Sequence, residues 1–309
     1  MKVIVTGATG FLGQNLVPKL NELYGKNNIL PISTLNYNLL SEYECEHAII
    51  AHKPDVIIHA AGTVGGIGAN ANNPGKFIYE NLMMGMNIIH NAMKYNVGKF
   101  ILLGTVCSYP KFTSVPFKEE DFWLGYPEET NAPYGIAKKT LVEMLVAYKK
   151  QYGLNSTVLI PSNMYGPYDH FNLTNSHVIP AIMLKFFNAM RNPDYHEDVT
   201  LWGTGQASRE FLFVEDCVDA ILLAMEKDTE VTPINIGNGR EIKIVEAAET
   251  IANIMGYRGT MFFDASKPDG QPRRCLDINR AKSMLGFNAK TSFEDGLKKT
   301  IDWFKEYIK

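Results

Sequence analysis

Hydrophobic and polar positions follow two periods along the first half of the chain. Short apolar runs at 2–6, 28–31, 55–59, 99–103 and 156–160 read as buried strands, and stretches with apolar residues every three or four positions, at 11–24, 41–52, 74–95 and 134–152, read as helices between them. In the first helix Leu12, Leu16, Leu20 and Leu23 recur at helical spacing, while Pro18 removes one backbone hydrogen bond. Strictly alternating strands and helices predict an α/β chain: a Rossmann-type doubly wound parallel sheet with helices on both faces. After Ile160 the pattern changes, with Pro161, Gly166, Pro167 and Pro180 interrupting it. Segments 176–190, 199–202 and 261–263 predict a smaller C-terminal substrate-binding lobe, and 211–225 an excursion back to the sheet. A last helix over 292–307 should pack by Phe293, Leu297, Ile301 and Phe304. The expected division is 1–160, with a return segment near 208–230, and 161–309.

Composition narrows the function classes. The 309 residues are 46% hydrophobic and 20% charged, which supports a sizeable core rather than disorder. Thirty Lys and Arg against 33 Asp and Glu leave a net charge of −3, with no broad attraction to nucleic acid or anionic lipid. Any phosphate must be held locally. No run approaches the ~18 apolar residues of a membrane span. One lysine precedes the apolar run at 3–5 and no small-residue cleavage site follows, so no secretory signal is expected. Cys45, Cys107, Cys217 and Cys275 lie tens of residues apart, without a CxxC pair, which predicts no metal site and a reducing, cytoplasmic compartment.

The first strand runs into TGATGFLG, which opens the first helix. In that context Gly7 permits the tight turn, Gly10 lets backbone approach a pyrophosphate, and Gly13 allows close helix–strand packing. The free amides and partial positive charge of the helix N-terminus then favour the phosphates of a dinucleotide. The end of strand two reads PISTLNYNLL, with Ser33 and Thr34 where an acid would grip the ribose of NAD. Without a carboxylate nothing repels a 2′-phosphate, which favours NADP, although no arginine stands there to hold it.

YGIAK sets Tyr134 and Lys138 one turn apart on a predicted helix, hence on one face. An ammonium close to a phenol favours the phenolate and makes the pair an acid/base device. Thr105, after the fourth strand, supplies a hydroxyl able to orient a carbonyl. Read on their own, Cys107 suits a small buried hydrophobe and His177 a helix cap or core histidine.

GATGFLG, HAAG, YENL, Thr105, YGIAK and REFLFVED together resemble an extended short-chain dehydrogenase/reductase over nearly the whole chain. Within that superfamily, VGGIGANANNPGKFIYENL, CSYPK, NAPYGIAK, NMYGPYDHF, NSHVIPA, WGTG and KPDGQPRR are similar in order and spacing to the GDP-L-fucose synthase family. That family uses NADPH to convert GDP-4-keto-6-deoxy-mannose to GDP-L-fucose, epimerising carbons 3 and 5 and then reducing carbon 4. The resemblance makes Tyr134 and Lys138 the reductase pair, and Thr105 the residue standing where the family usually has serine. It makes Cys107 and His177 the epimerase acid/base pair, in a loop that reads GTVC where the family commonly has GSSC, so that Val106 replaces a second hydroxyl. A thiol and an imidazole suit this chemistry because protons flanking a ketone are acidic, and inversion needs one group to remove a proton and another to return it on the opposite face. It also implies NADP contacts at Gly7, Thr9, Gly10, Phe11, Leu12, Ser33, Ala60, Ala61, Lys138 and Asn163. GDP-sugar contacts are implied at Gly66, Asn163, Lys185, Trp202, Arg209, Lys267, Asp269 and Arg273, with Arg274 in the same basic cluster. Cations there would meet the diphosphate.

The helices over 74–95 and 134–152 carry apolar residues beyond one face, including Met83, Met84, Met86, Leu141, Met144 and Leu145. In the superfamily these helices form a dimeric four-helix bundle, so a homodimer is expected. Rival readings are another enzyme of the fold or a non-catalytic NADP-binding protein. A 4,6-dehydratase would want an acid pair where Val106 and Cys107 stand. A 4-epimerase would have no need of Cys107 with His177, and a reductase of another 4-keto sugar would share most of the machinery. A protein that binds NADP without turnover would tend to lose Tyr134 or Lys138.

Overall fold

The computed structural model describes residues 1–172, 176–191, 196–267 and 269–308. Asn175 of NSHVIPA and Pro268 of KPDGQPRR lie outside the described residues. Six parallel strands form the main sheet: β1 (Val3–Thr6), β2 (Ile29–Ile32), β3 (Val56–His59), β4 (Lys99–Leu103), β5 (Ser156–Pro161) and β9 (Pro233–Ile236), in the order β2-β1-β3-β4-β5-β9. Their side chains are mostly apolar on both faces because both faces are covered. Pro31 falls in β2, an edge strand, where a missing amide costs no ladder bond to a second neighbour.

Helices α2 (Glu42–His52), α4 (Pro74–Lys94) and α5 (Ala132–Tyr152) cover one face, burying Ile49, Ile88, Ile89, Leu141 and Leu145 against Ile57, Phe100 and Val158. The other face is covered by α1 (Phe11–Tyr24) and α7 (Val214–Glu226), with Leu12, Leu16, Leu20, Val218 and Ile221 packed on Val5, Ile58 and Leu159. Ser41 caps α2 by accepting the Glu44 amide at 3.3 Å. Pro18 lies on the exposed side of α1, where water can hydrate the carbonyl it leaves without a partner. Helices α4 and α5 approach closely: a Cβ at Gly85 would stand 2.1 Å from Leu141 Cδ1.

A third core fills the lobe beyond β5. It joins α6 (Val178–Ala189), α8 (Ile244–Met255) and α9 (Phe293–Tyr307) to two small sheets. One sheet is β10 (Glu241–Lys243), β8 (Ser208–Phe213) and β6 (Asn163–Tyr165); the other is β11 (Met261–Asp264) with β7 (Val199–Trp202). The last helix buries Phe293, Leu297, Ile301 and Phe304, the four positions its periodicity marks. The excursion near 211–225 differs from expectation. Strand β8 belongs to the small sheet; what returns to the main sheet is α7, as a covering helix, and then β9. The sequence predicts no strand at β6 or β10, whose three residues carry too few periods to register, nor at β9, a four-residue run in the part of the chain where the strand–helix alternation is interrupted.

Glu210, on β8, ties these parts together. It is fully buried, Oε1 accepts the Gly239 amide at 2.7 Å, and Oε2 accepts the Leu276 amide at 2.8 Å. Burial raises its pKa, and the backbone amides partly reverse that. Replacing it with alanine orphans two buried amides at about 1–3 kcal/mol each. Glu210→Ala should therefore lose about 2–5 kcal/mol in urea unfolding, and a loss under 1 kcal/mol would contradict this role.

Candidate active site

A cleft of about 1420 Å³ opens between the carboxyl ends of the main-sheet strands and the smaller lobe. This is the crevice where the strand order reverses, between β1 and β3. On its sheet side lie Gly7, Thr9, Gly10, Phe11, Leu12, Ala60 and Ala61. Gly7 has φ +71°, and a Cβ there would stand 2.8 Å from Ala61 Cα, so only glycine fits. A Cβ at Gly13 would stand 2.2 Å from the Gly7 carbonyl oxygen. No side chain caps α1, whose first-turn amides are left to an anion. A dinucleotide pyrophosphate fits this cradle. Ser33 does not line the cleft: its amide donates to Asn36 Oδ1 at 2.9 Å and its Oγ accepts from the Leu35 amide at 3.2 Å.

Behind the cradle, Thr6 Oγ1 accepts the Ala61 amide at 3.2 Å and meets His59 Nδ1 at 2.9 Å. The Ala61 carbonyl in turn accepts Lys138 Nζ at 3.2 Å. Lys138 is buried with no carboxylate beside it among the described residues, and desolvation pulls its pKa down to about 8. Asn81 of YENL fixes the neighbouring loop, accepting the Thr63 amide at 3.1 Å and donating to the Thr63 carbonyl at 2.9 Å.

Tyr134 enters from the first turn of α5 and hydrogen-bonds with Thr105. Gly135 allows this approach: a Cβ there would stand 2.4 Å from the Cys107 carbonyl oxygen, and Ser108 Oγ donates to the Gly135 carbonyl at 2.8 Å. The sequence-based expectation that Lys138 shifts Tyr134 toward phenolate is not met. Burial pushes the phenol up, the Cys107 thiolate adds to that, and the Thr105 hydrogen bond opposes it. Desolvation of the anion outweighs the attraction of the ammonium, which is turned to Ala61.

Thr105 Oγ1 also accepts the Cys107 amide at 3.2 Å, so one hydroxyl meets the Tyr134 side chain and the backbone of Cys107. Cys107 is half-buried in the cleft wall, and Arg274 Nη1 lies 3.7 Å from its Sγ. Gln271 Oε1 accepts from Arg274 Nε at 3.2 Å and from Nη2 at 3.1 Å. Across the cleft, His177 occupies the N-cap position of α6 without capping it. Its Nδ1 faces Asp169 Oδ1 at 3.8 Å, and that carboxylate raises its pKa against the effect of burial.

The lobe side holds cations on carbonyl oxygens rather than carboxylates. Arg209 donates to the Ser208 carbonyl at 2.7 Å and the Asp269 carbonyl at 3.1 Å, and burial, with Arg274 nearby, lowers its pKa to about 10. Lys185 donates to the Thr200 carbonyl at 2.6 Å. Trp202, 61% exposed, lies at the mouth with Lys267 Nζ 5.8 Å from its ring centroid, and Lys267 itself is outside the cleft lining. Asp269 organises a turn, taking the Thr204 amide at 2.7 Å and its hydroxyl at 2.8 Å. Asn163 lines the cleft and donates to the Glu210 carbonyl at 2.9 Å, and Gly66 lines it as the N-cap of α3 (Ile67–Asn72). Arg273 is a correction: it pairs with Glu241 at the surface, and Arg274 is the arginine of that dipeptide that reaches the cleft. Neighbours along an irregular segment point to opposite sides, and nothing in PRR says which is inside. The sequence does not single out Asp169 or Gln271, since each acts through another side chain of an irregular segment, Asp169 on His177 and Gln271 on Arg274, where spacing alone does not say which side chains meet.

Residues 3–237 match the model of the NAD dependent epimerase/dehydratase family. The chain is 38% identical to GDP-L-fucose synthase 1 of Arabidopsis thaliana over 307 residues, covering 99% of this chain and 94% of that protein. It is 38% identical to the GDP-L-fucose synthase of Escherichia coli strain K12, covering 99% and 97% of the two chains. Its structure superposes on a GDP-L-fucose synthetase from Naegleria fowleri bound to NADP with a TM-score of 0.90 at 27% identity, covering 99% of this chain and 94% of that one. With its glycine cradle, its tyrosine–lysine pair and this similarity along its whole length, the chain belongs to the NAD dependent epimerase/dehydratase family and, within it, to the GDP-L-fucose synthases.

Proposed function

We propose that the protein converts GDP-4-keto-6-deoxy-mannose to GDP-L-fucose with NADPH, epimerising carbons 3 and 5 and reducing carbon 4. The observation that carries this reading is the convergence of two acid/base sets on one cleft: Tyr134 with Thr105 and Lys138, and Cys107 and His177 in the same lining. Gly7, Gly10, Phe11, Leu12 and Ala61 would hold the dinucleotide, with Lys138 toward its nicotinamide end. Bound there, NADPH supplies the hydride for carbon 4. Carbonyl-held Arg209 and Lys185, together with Arg274, offer unneutralised charge to the GDP diphosphate. Residues 161–309 contribute the sugar-nucleotide side of the cleft.

For epimerisation, the Cys107 thiolate removes the proton beside the ketone, charge passes to the carbonyl oxygen, and His177 returns a proton on the opposite face of the same carbon. Thr105 and Tyr134 donate hydrogen bonds to that oxygen. For reduction, Tyr134 hands its proton to the same oxygen as carbon 4 is reduced. A phenol held protonated by burial suits that donor role. Cys107 and His177 move protons only in the epimerisation, so their loss should stop that half-reaction while leaving the reduction.

The direct test is product identification after incubation with NADPH and GDP-4-keto-6-deoxy-mannose, where absence of GDP-L-fucose would reject the reading. Tyr134→Phe should cut NADPH oxidation by about 10²–10⁴ with NADPH affinity near wild type, because only the proton donor is lost. Lys138→Ala should weaken cofactor binding and turnover together, and unchanged affinity would count against its role. In heavy water without NADPH, Cys107→Ser should slow deuterium entry at carbons 3 and 5 by about 10² or more, and His177→Asn should suppress it likewise. Exchange at the wild-type rate in both would leave a simple 4-ketoreductase.

A homodimer through α4 and α5 is proposed on the same basis as the fold. Leu141 and Leu145 are buried within a single chain, whereas Tyr79 and Met86 on α4 and Tyr152 on α5 stay exposed for a partner to cover. A mass in solution at micromolar concentration equal to one chain would exclude the dimer.

A further inference from the structure

The loop between β6 and α6 presents Asp169 to His177, and the carboxylate has few other partners. Its side chain is 3% exposed, Oδ1 accepts the His170 amide at 2.7 Å, and buried Oδ2 meets no hydrogen-bond donor among the described residues. An isolated buried carboxylate is costly unless a cation or several donors compensate it. Among the described residues the group within reach that can carry a positive charge is His177, whose Nδ1 stands 3.8 Å from Oδ1. Both residues line the cleft.

We propose that Asp169 is a positioning residue for epimerisation: it faces Nδ1 of His177, fixes the ring, and leaves Nε2 as the nitrogen that exchanges a proton with the sugar. This rests on the reading of His177 as an epimerase acid/base. A carboxylate behind a histidine sets the ring's tautomer and orientation and stabilises the imidazolium without itself becoming a proton donor to substrate. Protonated His177 gives one proton to carbon and is left neutral, so the carboxylate favours the form that donates. Tyr168 and His170 on the same loop, Lys185 on α6, and Glu306 and Tyr307 on α9 also line the cleft, as do Cys107, Arg209 and Arg274 across it. Among the described residues Asp169 alone supplies the charge that raises the His177 pKa.

The readout is deuterium exchange at carbons 3 and 5 of GDP-4-keto-6-deoxy-mannose against pH, in full-length wild type, Asp169→Asn, His177→Asn and the double variant. With the carboxylate, His177 stays protonated to higher pH, so removing the carboxylate should move the alkaline fall of exchange to lower pH. The rate near neutrality should drop by about tenfold, part of the 10²–10⁴ a positioned acid/base supplies. Because Asp169 acts through His177, the double variant should be no slower than His177→Asn alone. An additive loss, or an unchanged pH profile in Asp169→Asn, overturns the proposal. Exchange unaffected in His177→Asn instead overturns the epimerase reading itself. Should Asp169→Asn not fold, the His177 ring resonance of the wild-type protein, assigned by its loss in His177→Asn, decides the matter by NMR titration. It should titrate above the ordinary histidine range, and a midpoint at or below that range rejects the role.

Discussion

The site depends on a backbone-to-backbone contact that leaves no room for a side chain. Where β1 and β3 end, the turn at Gly7 presses against Ala61, and Thr6 holds the Ala61 amide from behind with His59 against it. That contact places the first-turn amides of α1 at the cleft and aims the Ala61 carbonyl at Lys138. A dinucleotide cradle and a reactive lysine are thus consequences of one packing constraint. Gly135 repeats the device on the next strand, letting α5 settle on the Cys107 carbonyl so that the Tyr134 side chain and the Cys107 amide share Thr105.

The electrostatics of the cleft run against ordinary protein stability. Lys138, Lys185 and Arg209 all have lowered pKa values because burial disfavours their charge and carbonyl oxygens, not carboxylates, hold them. Arg273, one residue from Arg274, shows the alternative: with Glu241 beside it, its charge is already answered. A buried cation without an anion costs the fold until an anionic ligand arrives, so the same desolvation that lowers these pKa values strengthens attraction to phosphate. His177 follows the opposite pattern, with Asp169 favouring its charged form. The cleft therefore offers fixed cations to a diphosphate and one histidine biased toward its proton-carrying form.

Local pattern determined much of this protein. Strand and helix periods marked the main-sheet strands through β5, helices α1, α2, α4 and α5, and the four buried positions of α9, because burial on one or both faces leaves a period in the sequence itself. The glycine loop and the Tyr134–Lys138 spacing were legible for the same reason: each is confined to one turn, where sequence distance equals spatial distance. Tertiary structure decided the rest. The three-residue strands β6 and β10 carry too few residues to show a period, and they and β9 exist by pairing with distant partners. Whether Arg273 or Arg274 enters the cleft depends on Glu241, 32 residues before Arg273, and the phenol of Tyr134 is governed by burial that no neighbour in sequence supplies. A facing pair such as Cys107 with Arg274 is made by chain closure, so its chemistry appears only once the lobe has folded over the ends of the strands.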